Sequence, residues 1–127
     1  MELQQQVTNL ELSKRMKELG FKQESYFIWY LRNEDTKKYI LCSRDIFQEG
    51  ISAYTVAELG EMLPHEVRID DESYWHGIRI EKWSTVDGFV WKVIYENHQK
   101  ENFEQKSDTL ANAMAQMLIH LKENNLL

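Results

Sequence analysis

The sequence predicts an α+β fold: an antiparallel sheet of about five strands with three helices, the long C-terminal helix packed on one face. Three observations carry this expectation. Capped, amphipathic segments mark helices near residues 8–19, 55–63 and 108–124. Between them, runs rich in β-branched and aromatic residues are broken by polar turn formers, the signature of short strands. Finally, 127 residues with 43% apolar and 12% aromatic side chains, spread over the whole length, suffice for one hydrophobic core and leave little room for a second. That predicts a single domain over residues 1–127.

The first helix is marked at both ends. Thr8 and Glu11 have capping-box spacing, Val7 and Leu12 occupy the staple positions, and Leu12, Met16 and Leu19 form one apolar stripe. Gly20 stops it, with Phe21 placed to close over Met16 in a Schellman end. Lys14, Arg15 and Lys17 complement the negative end of the helix dipole.

Residues 25–31 (Ser-Tyr-Phe-Ile-Trp-Tyr-Leu) and 37–42 (Lys-Lys-Tyr-Ile-Leu-Cys) read as a β-hairpin closed by Asn33-Glu34-Asp35-Thr36. A four-residue loop sets Tyr30 opposite Tyr39, Ile28 opposite Leu41, Trp29 opposite Ile40 and Phe27 opposite Cys42. Both faces are then apolar, and both call for cover. After an irregular stretch through Gly50, Thr55 and Glu58 form a second capping box, with Tyr54 and Leu59 as its staple and Pro64 as its stop. Gly60 costs about 1 kcal/mol relative to Ala inside a helix, which points to close packing against the sheet.

His65–Asp70 alternates with Val67 and Ile69 inward, and after the acidic turn Asp70-Asp71-Glu72 the segments Ile78–Trp83 and Phe89–Tyr95 form a second hairpin. With Thr85–Gly88 as its loop, Glu81 lies opposite Lys92, Ile80 opposite Val93 and Ile78 opposite Tyr95. The same register puts Trp83 on the polar face with Arg79, Glu81 and Lys92. A polar stretch, Glu96–Lys106, places Phe103 in a short edge strand. Ser107 or Asp108 then caps the last helix, whose apolar face is Leu110, Ala113, Met114, Met117, Leu118 and Leu121.

Three stretches carry a resemblance: residues 7–13 running on through Gln23-Glu24-Ser25, then 54–64, then 113–119, together about a third of the chain. They resemble a family of small phage- and prophage-encoded proteins without a known activity. These are helix-start and packing motifs, so the resemblance implies origin and fold and brings no catalytic residue with it. Asn112 and Met114 stand where more charge is expected on the exposed face of the last helix.

Chemistry is mostly excluded by what is missing. No apolar run reaches the roughly 18 residues that span a bilayer, and Met1–Gln6 lacks a basic segment followed by an apolar one, which predicts the cytoplasm; the resemblance implies that of a bacterial host. A lone Cys42 in an apolar stretch predicts a buried reduced thiol. Fifteen basic against twenty-one acidic residues, a net charge of −6, disfavour binding to duplex nucleic acid. His65, His76, His98 and His120 show no metal-ligand spacing, and Gly20, Gly50, Gly60, Gly77 and Gly88 form no phosphate cradle, so neither metal nor cofactor is expected. Neither Cys42 nor Ser73 with His76 carries a nucleophile signature, and Asp70, Asp71 and Glu72 read as a solvated turn.

What remains is aromatic. Tyr74, Trp75, His76 and Trp83 are the candidate ligand- or partner-binding residues, while Trp29 and Trp91 read as core. The function expected is a phage-derived binding protein that engages a host or phage protein and modulates a host protein or defence. The alternative is a small-ligand or nucleotide binder using the aromatic face, as a homo-oligomer that covers the second apolar face of the first hairpin. A small enzyme comes third.

Overall fold

A computed structural model describes residues 2–68, 75–96 and 103–127. Within them the order is α1 (Leu3–Gln6), α2 (Leu10–Glu18), β1 (Phe27–Asn33), β2 (Lys38–Ser43), β3 (Ile51–Ala53), α3 (Val56–Met62), β4 (Glu66–Arg68), β5 (Trp75–Thr85), β6 (Gly88–Glu96), β7 (Phe103–Ser107) and α4 (Leu110–Glu123). The fold is α+β with the C-terminal helix packed on a sheet, as expected. The strands, however, form two antiparallel sheets, ordered β2-β1-β3 and β4-β5-β6-β7, in place of one sheet of about five. The split comes from β3. Its three residues are too few to show alternation in sequence, yet they pair with β1 and close the small sheet before α3 begins.

The start of α2 corrects the capping assignment. Asn9 is the N-cap, its Oδ1 accepting the Leu12 amide at 2.8 Å. Thr8 is buried, pulled inward by backbone pairing with the chain before α3: its amide donates to the Tyr54 carbonyl at 3.0 Å. Its hydroxyl lies 2.7 Å from Ser13 Oγ and accepts the Tyr54 amide at 3.0 Å. The other end of α2 is as expected, with Gly20 at φ +88°, its amide on the Lys17 carbonyl and the Phe21 amide on the Met16 carbonyl, a Schellman end.

The β1–β2 register is one residue off the expected one. Ile28 pairs with Cys42, Trp29 with Leu41, Tyr30 with Ile40 and Leu31 with Tyr39, so every β2 side chain lies on the opposite face from that expected. The turn moved: Asn33 Oδ1 accepts the amides of Asp35 and Thr36, Lys37 takes the left-handed conformation at φ 54°, and a bulge falls between Leu31 and Asn33. Both faces do find cover. Phe47 stacks on Tyr30 at 4.0 Å on one side, and on the other the Trp29 indole donates to the Thr8 carbonyl at 3.0 Å.

In the larger sheet the expected register holds: Glu81 faces Lys92, Ile80 faces Val93 and Ile78 faces Tyr95. Val67 is buried as expected, and Ile69 lies outside the described residues. α3 carries its full capping box, the Thr55 hydroxyl accepting the Glu58 amide while the Glu58 carboxylate accepts the Thr55 amide. Gly60 is exposed and stands beside α4, where a Cβ would lie 3.6 Å from Met114 Cε, so it does not serve packing on the sheet.

α4 is capped by Thr109, whose hydroxyl accepts the Asn112 amide, because Ser107 is still in β7 opposite Trp91. The helix lies between β6 and β7 on one side and α2 and α3 on the other, which explains why Asn112 and Met114 are uncharged: both are buried, and Asn112 Oδ1 accepts the Asn9 amide at 2.9 Å. Around α4 gather Met16, Leu59, Val67, Val93, Tyr95, Met117, Leu118 and Leu121, with the Tyr95 hydroxyl on the Pro64 carbonyl at 2.6 Å. Cys42, expected to be buried, is only partly covered, because β2 has a neighbouring strand on one side alone. No helix among the described residues is long and apolar enough to cross a membrane.

Candidate partner-binding surface

The β5–β6 hairpin outruns the helix that covers it. Every residue from Lys82 to Phe89 is exposed, the tip being a two-residue turn of Val86 and Asp87, with Gly88 at φ +130° and the Thr85 hydroxyl on the Gly88 carbonyl at 3.1 Å. This tip concentrates large apolar side chains in water: Trp83 is 51%, Phe89 58% and Val86 103% exposed.

On one face, the indole of Trp83 is held by charge. Its N–H donates to Glu81 Oε1 at 3.1 Å, and the Lys92 ammonium sits 4.3 Å from its ring centroid. Arg79 in turn pairs with Glu81 at 3.3 Å and with Glu96. An indole fixed in this way presents its free edge at low entropic cost to a partner. On the other face, the Lys82 ammonium lies over Phe89 and Trp91, 4.3 and 5.2 Å from their centroids. Beside it opens a cleft of about 770 Å³ between the hairpin, α1 and the start of α4, lined by Phe27, Val56, Phe89, Trp91 and Leu110, with Lys82, Asp87 and Asp108 its charged groups.

Of the four residues singled out from sequence, the three that lie among the described residues do not come together as one site. Trp83 stands exposed where the register put it. Trp75 begins β5 opposite Arg68, eight positions away and therefore about 26 Å along the strand. Tyr74 lies outside the described residues. His76 is in the strand and buried at 2% exposure, its ring 5.8 Å from that of Phe103, which also meets Tyr95 and His120. Neither of its ring nitrogens has a hydrogen-bond partner among the described residues.

Sequence reasoning missed Val86, Phe89 and Lys82. The signal was there, since the register that exposed Trp83 also sets Phe89 opposite Ser84 at the hairpin end. Among the described residues no group of three or more His, Cys, Asp or Glu side chains is arranged to hold a metal ion. The fold and this surface define a two-sheet α+β protein bearing an exposed aromatic hairpin. Comparisons with protein-family models, with curated protein sequences and with solved structures each found no match.

Proposed function

We propose that this is a protein-binding module that engages its partner through the tip of the β5–β6 hairpin. The observation that carries the reading is the exposure of three large apolar side chains at the tip of one hairpin, Trp83 on one face, Phe89 on the other and Val86 in the turn between them. Exposed apolar clusters of this kind mark interaction surfaces, and interfaces concentrate their energy in a few aromatic anchors. With the resemblance to phage-encoded proteins, the partner class is a protein of the bacterial host, met in its cytoplasm and modulated by binding. A net charge of −6 suits such a partner better than duplex nucleic acid.

The second reading, a small-ligand or nucleotide binder, is favoured by the cleft itself, whose volume falls within the roughly 300–1,000 Å³ of ligand sites and whose aromatic wall could stack a flat ring. Comparative pull-downs from host lysate with the wild type and with Trp83→Ala and Phe89→Ala test the preferred reading. The variants should lose a stoichiometric partner while Trp83→Ala changes folding stability by less than about 1 kcal/mol. Undiminished capture by both variants would refute it, and a small molecule retained in native mass spectrometry would favour the cleft.

A further inference from the structure

In the cleft between the hairpin, α1 and the start of α4, the chain already seats a positive charge. Lys82 pairs across the ladder with Trp91, and Phe89 stands two residues before Trp91 on the same face of β6. The Lys82 side chain therefore runs beside one ring and ends over the other, its ammonium 5.2 Å from the Trp91 centroid and 4.3 Å from that of Phe89. No carboxylate among the described residues pairs with it. The cation rests instead on ring faces, attracted by the negative face of each π-system.

The other charges of the cleft have the opposite sign. Asp87 in the hairpin turn and Asp108 just before α4 both line it, and neither forms an ion pair among the described residues; Asp108 Oδ1 meets the Ser107 hydroxyl at 3.1 Å. Phe27 from the smaller sheet, Val56 from α3 and Leu110 from α4 add apolar wall. An anion such as a nucleotide phosphate would meet two carboxylates for one ammonium. A cation would meet two carboxylates and two ring faces once Lys82 swings out, and Lys82 is exposed on a flexible stem that can carry its charge into water. The net charge of −6 over the whole chain acts in the same sense.

We propose that the cleft binds an organic cation of the alkylammonium class, and that Lys82 is its built-in competitor, holding the place of the ligand's head over Phe89 and Trp91 until the ligand displaces it. The inference rests on the reading of the cleft as a ligand site and narrows its ligand from a nucleotide to a cation. It is independent of a protein partner at the hairpin tip. Two carboxylates and two aromatic faces select the head by charge, while Val56 and Leu110 receive whatever apolar body it carries.

Titration calorimetry of the full chain, with the Trp91 indole resonance followed in parallel, tests this with three probes: choline, its neutral isostere with carbon in place of the quaternary nitrogen, and adenosine monophosphate. Choline and the isostere share a shape and differ in charge, so choline should bind about tenfold more tightly and shift the Trp91 resonance. Lys82→Gln, a change at an exposed position, should tighten choline about tenfold by removing both the competitor and a like charge. Asp108→Asn should weaken it several-fold, as should added salt. Choline and isostere binding equally, or adenosine monophosphate binding most tightly, overturns the proposal and leaves the cleft a ligand site of another class. Choline binding weakened by Lys82→Gln overturns the competitor role. If none of the three binds the wild type or Lys82→Gln, the proposal and the ligand-site reading fall together.

Discussion

Replacing Thr8 by Val tests whether its hydroxyl ties the two halves of the chain or caps a helix. Val keeps the shape, so no cavity forms, and only the hydroxyl is lost. Two partners are affected. Ser13 Oγ can still donate to the Thr8 carbonyl, at 3.3 Å, but the Tyr54 amide loses its acceptor in a fully buried position. An orphaned buried amide costs about 1–3 kcal/mol. By contrast Asn9→Ala removes an exposed cap and should cost about 1 kcal/mol. Urea denaturation gives both values, and native-state hydrogen exchange localises the first: the Tyr54 amide should lose protection in Thr8→Val and keep it in Asn9→Ala. A Thr8→Val protein within about 0.5 kcal/mol of wild type, with Tyr54 still protected, would refute the tie.

Other expectations follow from the same packing. Gly50→Ala should destabilise by about 1–3 kcal/mol, because its Cβ would lie 2.8 Å from Ile28 Cδ1 and 2.9 Å from the Trp29 carbonyl oxygen; Gly60→Ala, with only Met114 Cε near at 3.6 Å, should stabilise α3 by up to about 1 kcal/mol, and denaturant melts of both variants check the contrast. Burial pushes the phenols of Tyr54 and Tyr95 above their ordinary range, so the folded chain holds these protons more tightly than the unfolded one. The resulting stability is present below the ordinary phenol pKa of about 10 and lost as pH rises beyond it, so the urea midpoint should fall between pH 8 and pH 11, and fall less in Tyr95→Phe.

How much was legible depended on whether local chemistry and burial agreed. The β5–β6 register could be read because one pairing alone matched Glu81 to Lys92 while stacking Ile78 on Tyr95, and Trp83 followed from it onto the exposed face. The β1–β2 register could not, because that hairpin is apolar on both faces and a slip of one residue leaves the pattern equally satisfied; the Asn33 turn and the left-handed Lys37 made the choice. Of two adjacent capping residues at α2, the amide of Tyr54, 46 positions away, drew Thr8 inward and left Asn9 to cap. His76 showed a like ambiguity: next to Gly77 it passes for a turn residue, and only the pairing of β5 with β4 and the Phe103 ring from β7 make it core.

The sequence by itself determined the α+β class, the places of α2, α3 and α4, the second hairpin and its exposed tryptophan, since capping boxes, helical stripes and a charge-matched register are set by neighbours a few residues apart. Only the tertiary structure decided that the strands divide into two sheets, that one edge of the smaller sheet stays open, and that α4 stops short of the hairpin tip and leaves Phe89 and Val86 exposed there with Trp83. Those features depend on which surfaces meet across the whole chain, and a three-residue strand or an uncovered hairpin end leaves no periodic trace in the sequence that produces it.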